Sequence, residues 1–234
     1  MTICYHGTPI TPKAQLYRMT GQHFCVSFAE PRDADFCEAF GQSVLWDNGA
    51  FSAYTRGKVV DEAALYAWLE PRLRHPHKAV VLDKIARPGD LDAGVDAQRE
   101  MVQRWPFPRD LSWPVWHLDK PLDYLDELAD AWPGVCLGSA GEFWEIGSEA
   151  WVRRMGEVFA RLHRRRYLPW THGLRMLGQI GAFPLSSADS TNVAQNYGVA
   201  TGCAHCHAKQ INSVRRKRGD SKRERTAGLF ESVI

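Results

Sequence analysis

No apolar run in this chain of 234 residues approaches the length that crosses a bilayer. The opening MTICYHGTPI lacks the basic stretch and long apolar core of a secretory signal. These absences lead us to expect a soluble, cytoplasmic protein with no membrane partner. No glycine-rich phosphate fingerprint follows the first strand-like segment, where HGTP stands instead, and this weakens a nucleotide-binding doubly wound sheet. There is no internal repeat and no clear interdomain linker. Cysteine is scarce. Cys4, Cys25, Cys37, Cys136, Cys203 and Cys206 are the whole set, and four of the six sit in apolar or strand-like surroundings, so they read as reduced thiols rather than a disulfide framework.

What is present is enough apolar material, 44% of residues, for one sizeable core. The net charge of +2 hides an asymmetry: acids are spread through the first two thirds, while Arg and Lys crowd the end. That pattern points to an anionic partner. Short β-type runs recur at 2–7, 23–29, 43–49, 78–84, 112–118 and 134–140, with two more around 168–176 and 184–190. Several are apolar throughout, as strands buried on both faces are. Helical spacing predicts helices over 61–73, 90–105, 121–132 and 148–166. Eight strands with helices or loops between most of them predict a compact α/β protein, a (β/α)8 TIM-type barrel over 1–200 with some helices trimmed. An open doubly wound sheet is the competing architecture. From 201 to 234 we expect a Cys/His-containing basic C-terminal segment.

In a barrel, chemistry gathers at the C-terminal ends of strands. Those ends carry His6, Asp47, Asp83, His117, Ser139 and Asp189. Carboxylates sharing one mouth are pushed into different protonation states, so one can attack or stabilise a cation while another moves protons. Each also has a structural reading. Asp47 with Asn48 and Gly49 is a good turn, Asp83 and Asp189 are good helix caps, and His117 can be a structural histidine. Ser139, between Gly138 and Ala140, can simply admit close backbone approach.

The ordered set of motifs resembles the tRNA-guanine transglycosylase superfamily. DNGAFS (47–52) is similar to its D-S-G-G-F-Q segment, and VVLDK (80–84) falls where that family has a strand ending in a base-recognising Asp. PVWHLDKPLDYLDEL (114–128) resembles its strand ending in a base-contacting Gln, with His117 in the Gln position; CLGSAGE (136–142) is similar to its G-L-A-V-G-E. HGLRMLG (172–178) resembles Y-L-M-G-V-G, and SSADSTNVAQN (186–196) is similar to D-C-V-x-P-T-R-x-A-R, whose Asp is the nucleophile. The resemblance covers 44–196. Ser190, Thr191 and Asn192 replace Pro-Thr-Arg, and with His117 this leaves the identity of the incoming base open. The chain is short, more like phage and bacterial relatives that insert 7-deazaguanines into DNA.

The resemblance implies exchange of guanine in DNA for a 7-deazaguanine of the preQ0 type through a covalent glycosyl-enzyme. Asp189 would be the nucleophile and Asp47 the general acid or base. Asp83, His117, Gly138, Ser139, Phe51 and His6 would bind the base, and no cofactor is needed for the chemistry. The same exchange on tRNA, a nucleic-acid N-glycosidase and a non-catalytic nucleic-acid-binding barrel stand as alternatives. A phage-encoded chain would work in its host's cytoplasm. Cys203, Cys206 and His207 match C-x-x-C-H, but haem attachment usually requires export, for which no signal is visible. The resembled family carries a Cys/His zinc site after its nucleophile, so these residues with His205 are the candidates for a structural zinc, a second C-x-x-C being absent. Arg164, Arg165 and Arg166 close one basic cluster, and Arg215, Arg216, Lys217 and Arg218 belong to another; both are expected to bind nucleic-acid phosphates.

Overall fold

The computed structural model describes residues 2–85 and 94–213. Nine strands make one sheet: β1 (Ile3–Gly7), β2 (His23–Ser27), β3 (Ser43–Asp47), β4 (Lys78–Val80), β5 (Ser112–Trp113), β6 (Val115–His117), β7 (Gly134–Gly138), β8 (Trp170–Gly173) and β9 (Ser187–Ser190). Every pairing is parallel and the order is β5-β4-β3-β2-β1-β9-β8-β7-β6. The two ends of that order, β5 and β6, are separated along the chain only by Pro114.

Pro114 has no N–H to give to a ladder, so the strand breaks there. Its carbonyl still accepts from Cys136 N at 2.8 Å, while Trp113 O accepts from Val81 N at 2.9 Å. The segment 112–117 is thus one bent stave, paired to β4 by its first half and to β7 by its second. It draws the sheet into a nearly closed barrel of eight staves in chain order, the TIM-type architecture rather than an open sheet.

Helices cover the outside: α1 (Lys13–Tyr17), α2 (Ala34–Phe40), α3 (Ala50–Thr55), α4 (Glu62–Leu69), α5 (Val95–Arg104), α6 (Leu122–Ala131), α7 (Glu149–His163), α8 (Asn192–Ala200) and α9 (204–213). Between β8 and β9 only a 3-10 turn, Leu177–Gln179, replaces a helix. The helix predicted over 61–73 stops at Leu69, with Glu70 as its cap, because Pro71 has no N–H to continue the ladder. The one predicted over 90–105 is described from Val95; its first residues lie partly outside the described residues. α9 packs on the barrel, with Ala204 and Ala208 buried and Ala204 N donating to Gln15 Oε1 at 3.0 Å. Among the described residues no helix is long and apolar enough to cross a membrane.

Strand alternation divides the core in two. Tyr5, Cys25, Leu45, Val80, Trp113, Val115 and Cys136 fill the barrel interior. Their neighbours Cys4, Val26, Trp46, Trp116, Leu137 and Ala188 face the helices. Burying a side chain of the Leu or Phe class contributes roughly 1.5–3 kcal/mol, so both layers favour this register over a one-residue slip.

Candidate active site

Two residues further along the inward face of each strand from that interior layer come the groups at the C-terminal mouth. Leu45 leads to Asp47, Val115 to His117, Cys136 to Gly138, and Ser187 to Asp189. Alternation therefore aims two carboxyl groups and an imidazole into one opening. Burial, with Asp189 and Asp83 as negative neighbours, raises the Asp47 carboxyl to about 6, against the pull of hydrogen bonds from Ser27 and Gly49 N. The same negative field reaches the interior thiols. Burial first, then Asp189 and Asp47, push Cys25 well above its usual value, and Cys136 responds likewise to Asp189, Asp83 and Asp47. The three acids thus converge electrostatically.

Asp83 follows β4 and is held from two sides. Asn48 Nδ2 donates to its Oδ1 at 2.8 Å and also to Val81 O, while Asn48 Oδ1 accepts from Ala50 N at the start of α3. His117 Nε2 lies 2.7 Å from Asp83 Oδ2. Gly138 stands directly across the β6–β7 ladder from His117, and a Cβ there would come within 2.7 Å of His117 Nδ1. The glycine makes room for the ring. Among the described residues Nδ1 is buried and accepts or donates no hydrogen bond.

Asp189 is organised by β8. Trp170 Nε1 can only donate, and it donates to Ser187 Oγ at 2.8 Å. The Ser187 hydroxyl is then free to donate to His172 Nδ1, 2.8 Å away. That arrangement leaves the ring proton on Nε2, which donates to Asp189 Oδ1 at 3.2 Å. Arg175 N donates to the same Oδ1 at 2.9 Å. Both of these hydrogen bonds fall on Oδ1, so two donors orient one carboxylate oxygen and none of them engages Oδ2. Arg175 holds a left-handed backbone, φ 59°, which a non-glycine residue adopts only when its surroundings impose it. Its guanidinium lies 3.7 Å from the centre of the Phe51 ring and 5.4 Å from that of Trp144, within the field of Asp189 and Asp47.

The structure brings Asp47, Asp83, His117, Gly138, Phe51 and Asp189 to this mouth. Beside Asp83 opens a cavity of about 490 Å³ lined in part by Ala50, Tyr54, Leu82, Lys84 and Met101. Alternation turns two of the expected side chains outward. His6 follows the inward Tyr5 and shares the outward face of Cys4, and the Ser139 hydroxyl accepts from Trp151 Nε1 of α7 at 2.9 Å. Both side chains face the helix layer, leaving Ser139 only its backbone for a ligand at the mouth. His172, Arg175, Trp144 and Asn48 are additions that the sequence reading missed.

Arg164, Arg165 and Arg166 follow the C-terminal end of α7, which leads into the start of β8. They lie at the end of the barrel away from the carboxylates, and Arg165 is paired with Asp126 and Asp130 of α6. A nucleic acid held by these arginines would therefore lie at the end of the barrel opposite the carboxylates. Arg215, Arg216, Lys217 and Arg218 lie outside the described residues. Among the described residues no group of three His, Cys, Asp or Glu side chains is placed to hold a metal, and His207 Nε2 is engaged with Asn192 Oδ1 at 2.7 Å.

Fold and site together define a parallel α/β barrel with an acidic, aromatic-rimmed C-terminal mouth. No protein-family model and no curated protein matches the chain.

Proposed function

We propose that this protein is a guanine transglycosylase that exchanges guanine in DNA for a 7-deazaguanine. The observation that carries the reading is the division of labour between Asp189, whose Oδ1 is oriented by two donors that do not engage Oδ2, and Asp47, whose carboxyl is raised to about 6. In this reading Asp189 Oδ2 attacks C1′ of a flipped deoxyguanosine as the C1′–N9 bond breaks, and the electron pair leaves with the purine. Asp47 gives the departing base a proton, then accepts the N9 proton of the incoming base, which attacks C1′ and releases Asp189. Asp83, held by Asn48 and His117, accepts hydrogen bonds from purine N–H groups, and Phe51 with Trp144 offers a stacking surface.

The test is incubation of the full chain with radiolabelled guanine and either duplex DNA or tRNA, with no other factor. Label is expected in DNA, and Asp189→Ala is expected to abolish incorporation while retaining DNA binding. Label in tRNA alone would move the substrate assignment. Base release without incorporation would make the enzyme an N-glycosidase, and binding with neither reaction would leave a non-catalytic barrel.

A further inference from the structure

The cysteine pair at the start of α9 lies away from the mouth and is unlike the other thiols. Cys4, Cys25, Cys37 and Cys136 are buried, whereas Cys206 is exposed and Cys203 is partly exposed. Cys203 immediately precedes α9, and the Cys206 backbone N–H donates to Cys203 Sγ at 3.4 Å. The Cys206 thiol makes a side-chain hydrogen bond to Cys203 as well. The Arg18 guanidinium, brought over from α1, reaches Cys203 Sγ at 3.9 Å. Two thiols three residues apart on a first helical turn fall within the span that a disulfide bridges. His207 Nε2, next in the chain, is engaged with Asn192 Oδ1 at 2.7 Å.

We infer that Cys203 and Cys206 form a reversible dithiol–disulfide couple, with Cys203 the attacking thiol and Cys206 the resolving one. The thiolate of Cys203 attacks one sulfur of a low-molecular-weight disulfide, forming a mixed disulfide and releasing one small thiolate. Cys206 loses its proton and attacks the Cys203 sulfur, closing the internal disulfide and expelling the second small thiolate. The chain gives up two electrons and two protons, and the external disulfide is reduced to two thiols. The chemistry of the site favours this order. Cys203 Sγ receives the Cys206 backbone N–H at 3.4 Å and lies 3.9 Å from the Arg18 guanidinium, a setting that favours a thiolate there, while Cys206 is the more exposed thiol.

The full chain is treated with oxidised glutathione, denatured, alkylated and weighed intact. All six cysteines alkylate in the reduced protein. After oxidation four are expected to alkylate, with peptide mapping placing the disulfide between Cys203 and Cys206 and dithiothreitol restoring all six. Cys206→Ser should instead trap a stable glutathione adduct on Cys203, and Cys203→Ser should take up at least tenfold less glutathione at Cys206. Retention of six alkylatable thiols, a persistent adduct in the unsubstituted chain, or the same uptake in both serine variants would overturn the couple. So would stoichiometric zinc in the purified chain that is lost on either substitution, since metal-bound thiolates would then be the resting state. Serine leaves a hydroxyl able to cap the helix, and circular dichroism of each variant checks that the barrel persists.

Discussion

At the level of single residues, the mouth works through unequal treatment of similar groups. Asp47 sits where burial and two acidic neighbours make its ionisation costly, so its charge is a load on the fold. The unfolded chain releases this proton near pH 4, the folded chain near 6. Between those values the native state holds more protons than the unfolded state, and stability falls as pH rises. At roughly 1.4 kcal/mol per pH unit, Asp47→Asn is expected to be more stable than the unsubstituted protein by about 1–3 kcal/mol at pH 8, with the gain shrinking to nothing by pH 4. Urea unfolding at several pH values measures this, and an advantage that grew toward acid would sink the account. The same variant should lose base exchange, separating a catalytic acid from a merely structural one. Asp47, Asp83 and Asp189 were legible as strand-end carboxyl groups. His172 was within reach of the same alternation, two residues after the inward Trp170. Arg175 and Trp144 were not, because a left-handed backbone and a ring contact between distant loops are products of tertiary structure.

Among the elements, β6 and β7 hold the clearest dependence of site on sequence. Gly138 and His117 face each other across the ladder, so the smallest residue is required where the imidazole must reach Asp83. Gly138→Ala would place a methyl group 2.7 Å from His117 Nδ1 and 3.1 Å from Cε1, against a ring confined by its own bond to Asp83. Overpacking of this kind costs about 1–3 kcal/mol. In a His117→Ala background the same change should cost under ~0.5 kcal/mol, and chemical denaturation of the four proteins gives the coupling. An equal cost in both backgrounds would mean the glycine serves the backbone alone. The eight strands were readable because apolar runs of this length in parallel sheets carry little else, and α4 to α7 showed helical periodicity. The short helices α1, α2 and α3 were not, since five to seven residues barely complete a face. The break at Pro114 was written in the sequence, yet its effect, one stave pairing in two directions, exists only once the sheet closes.

For the whole molecule, what matters is where charge lies relative to the mouth. The sequence advertised Arg164, Arg165 and Arg166 as a phosphate-binding run, but α7 carries them to the far end, and Arg165 is already paired with α6. The exposed cations Lys58 and Lys84 line the cavity beside Asp83 instead. Under the proposed base exchange, a strand presenting its base to Asp189 would pass over the C-terminal mouth, and these lysines beside Asp83 are expected to displace counterions. Each phosphate neutralised contributes about 0.7 to 0.9 to the slope of log affinity against log salt. Replacing Lys58 and Lys84 by Gln is therefore expected to lower the slope by about 1–2 and weaken DNA binding at low salt. Arg164→Gln with Arg166→Gln should leave slope and affinity unchanged. Fluorescence anisotropy with labelled DNA across a salt series decides between them. If the arginine pair carries the slope, the nucleic acid docks on the wrong end of the barrel for its base to reach Asp189, and the proposed exchange loses its geometry whatever the arrangement of the carboxylates.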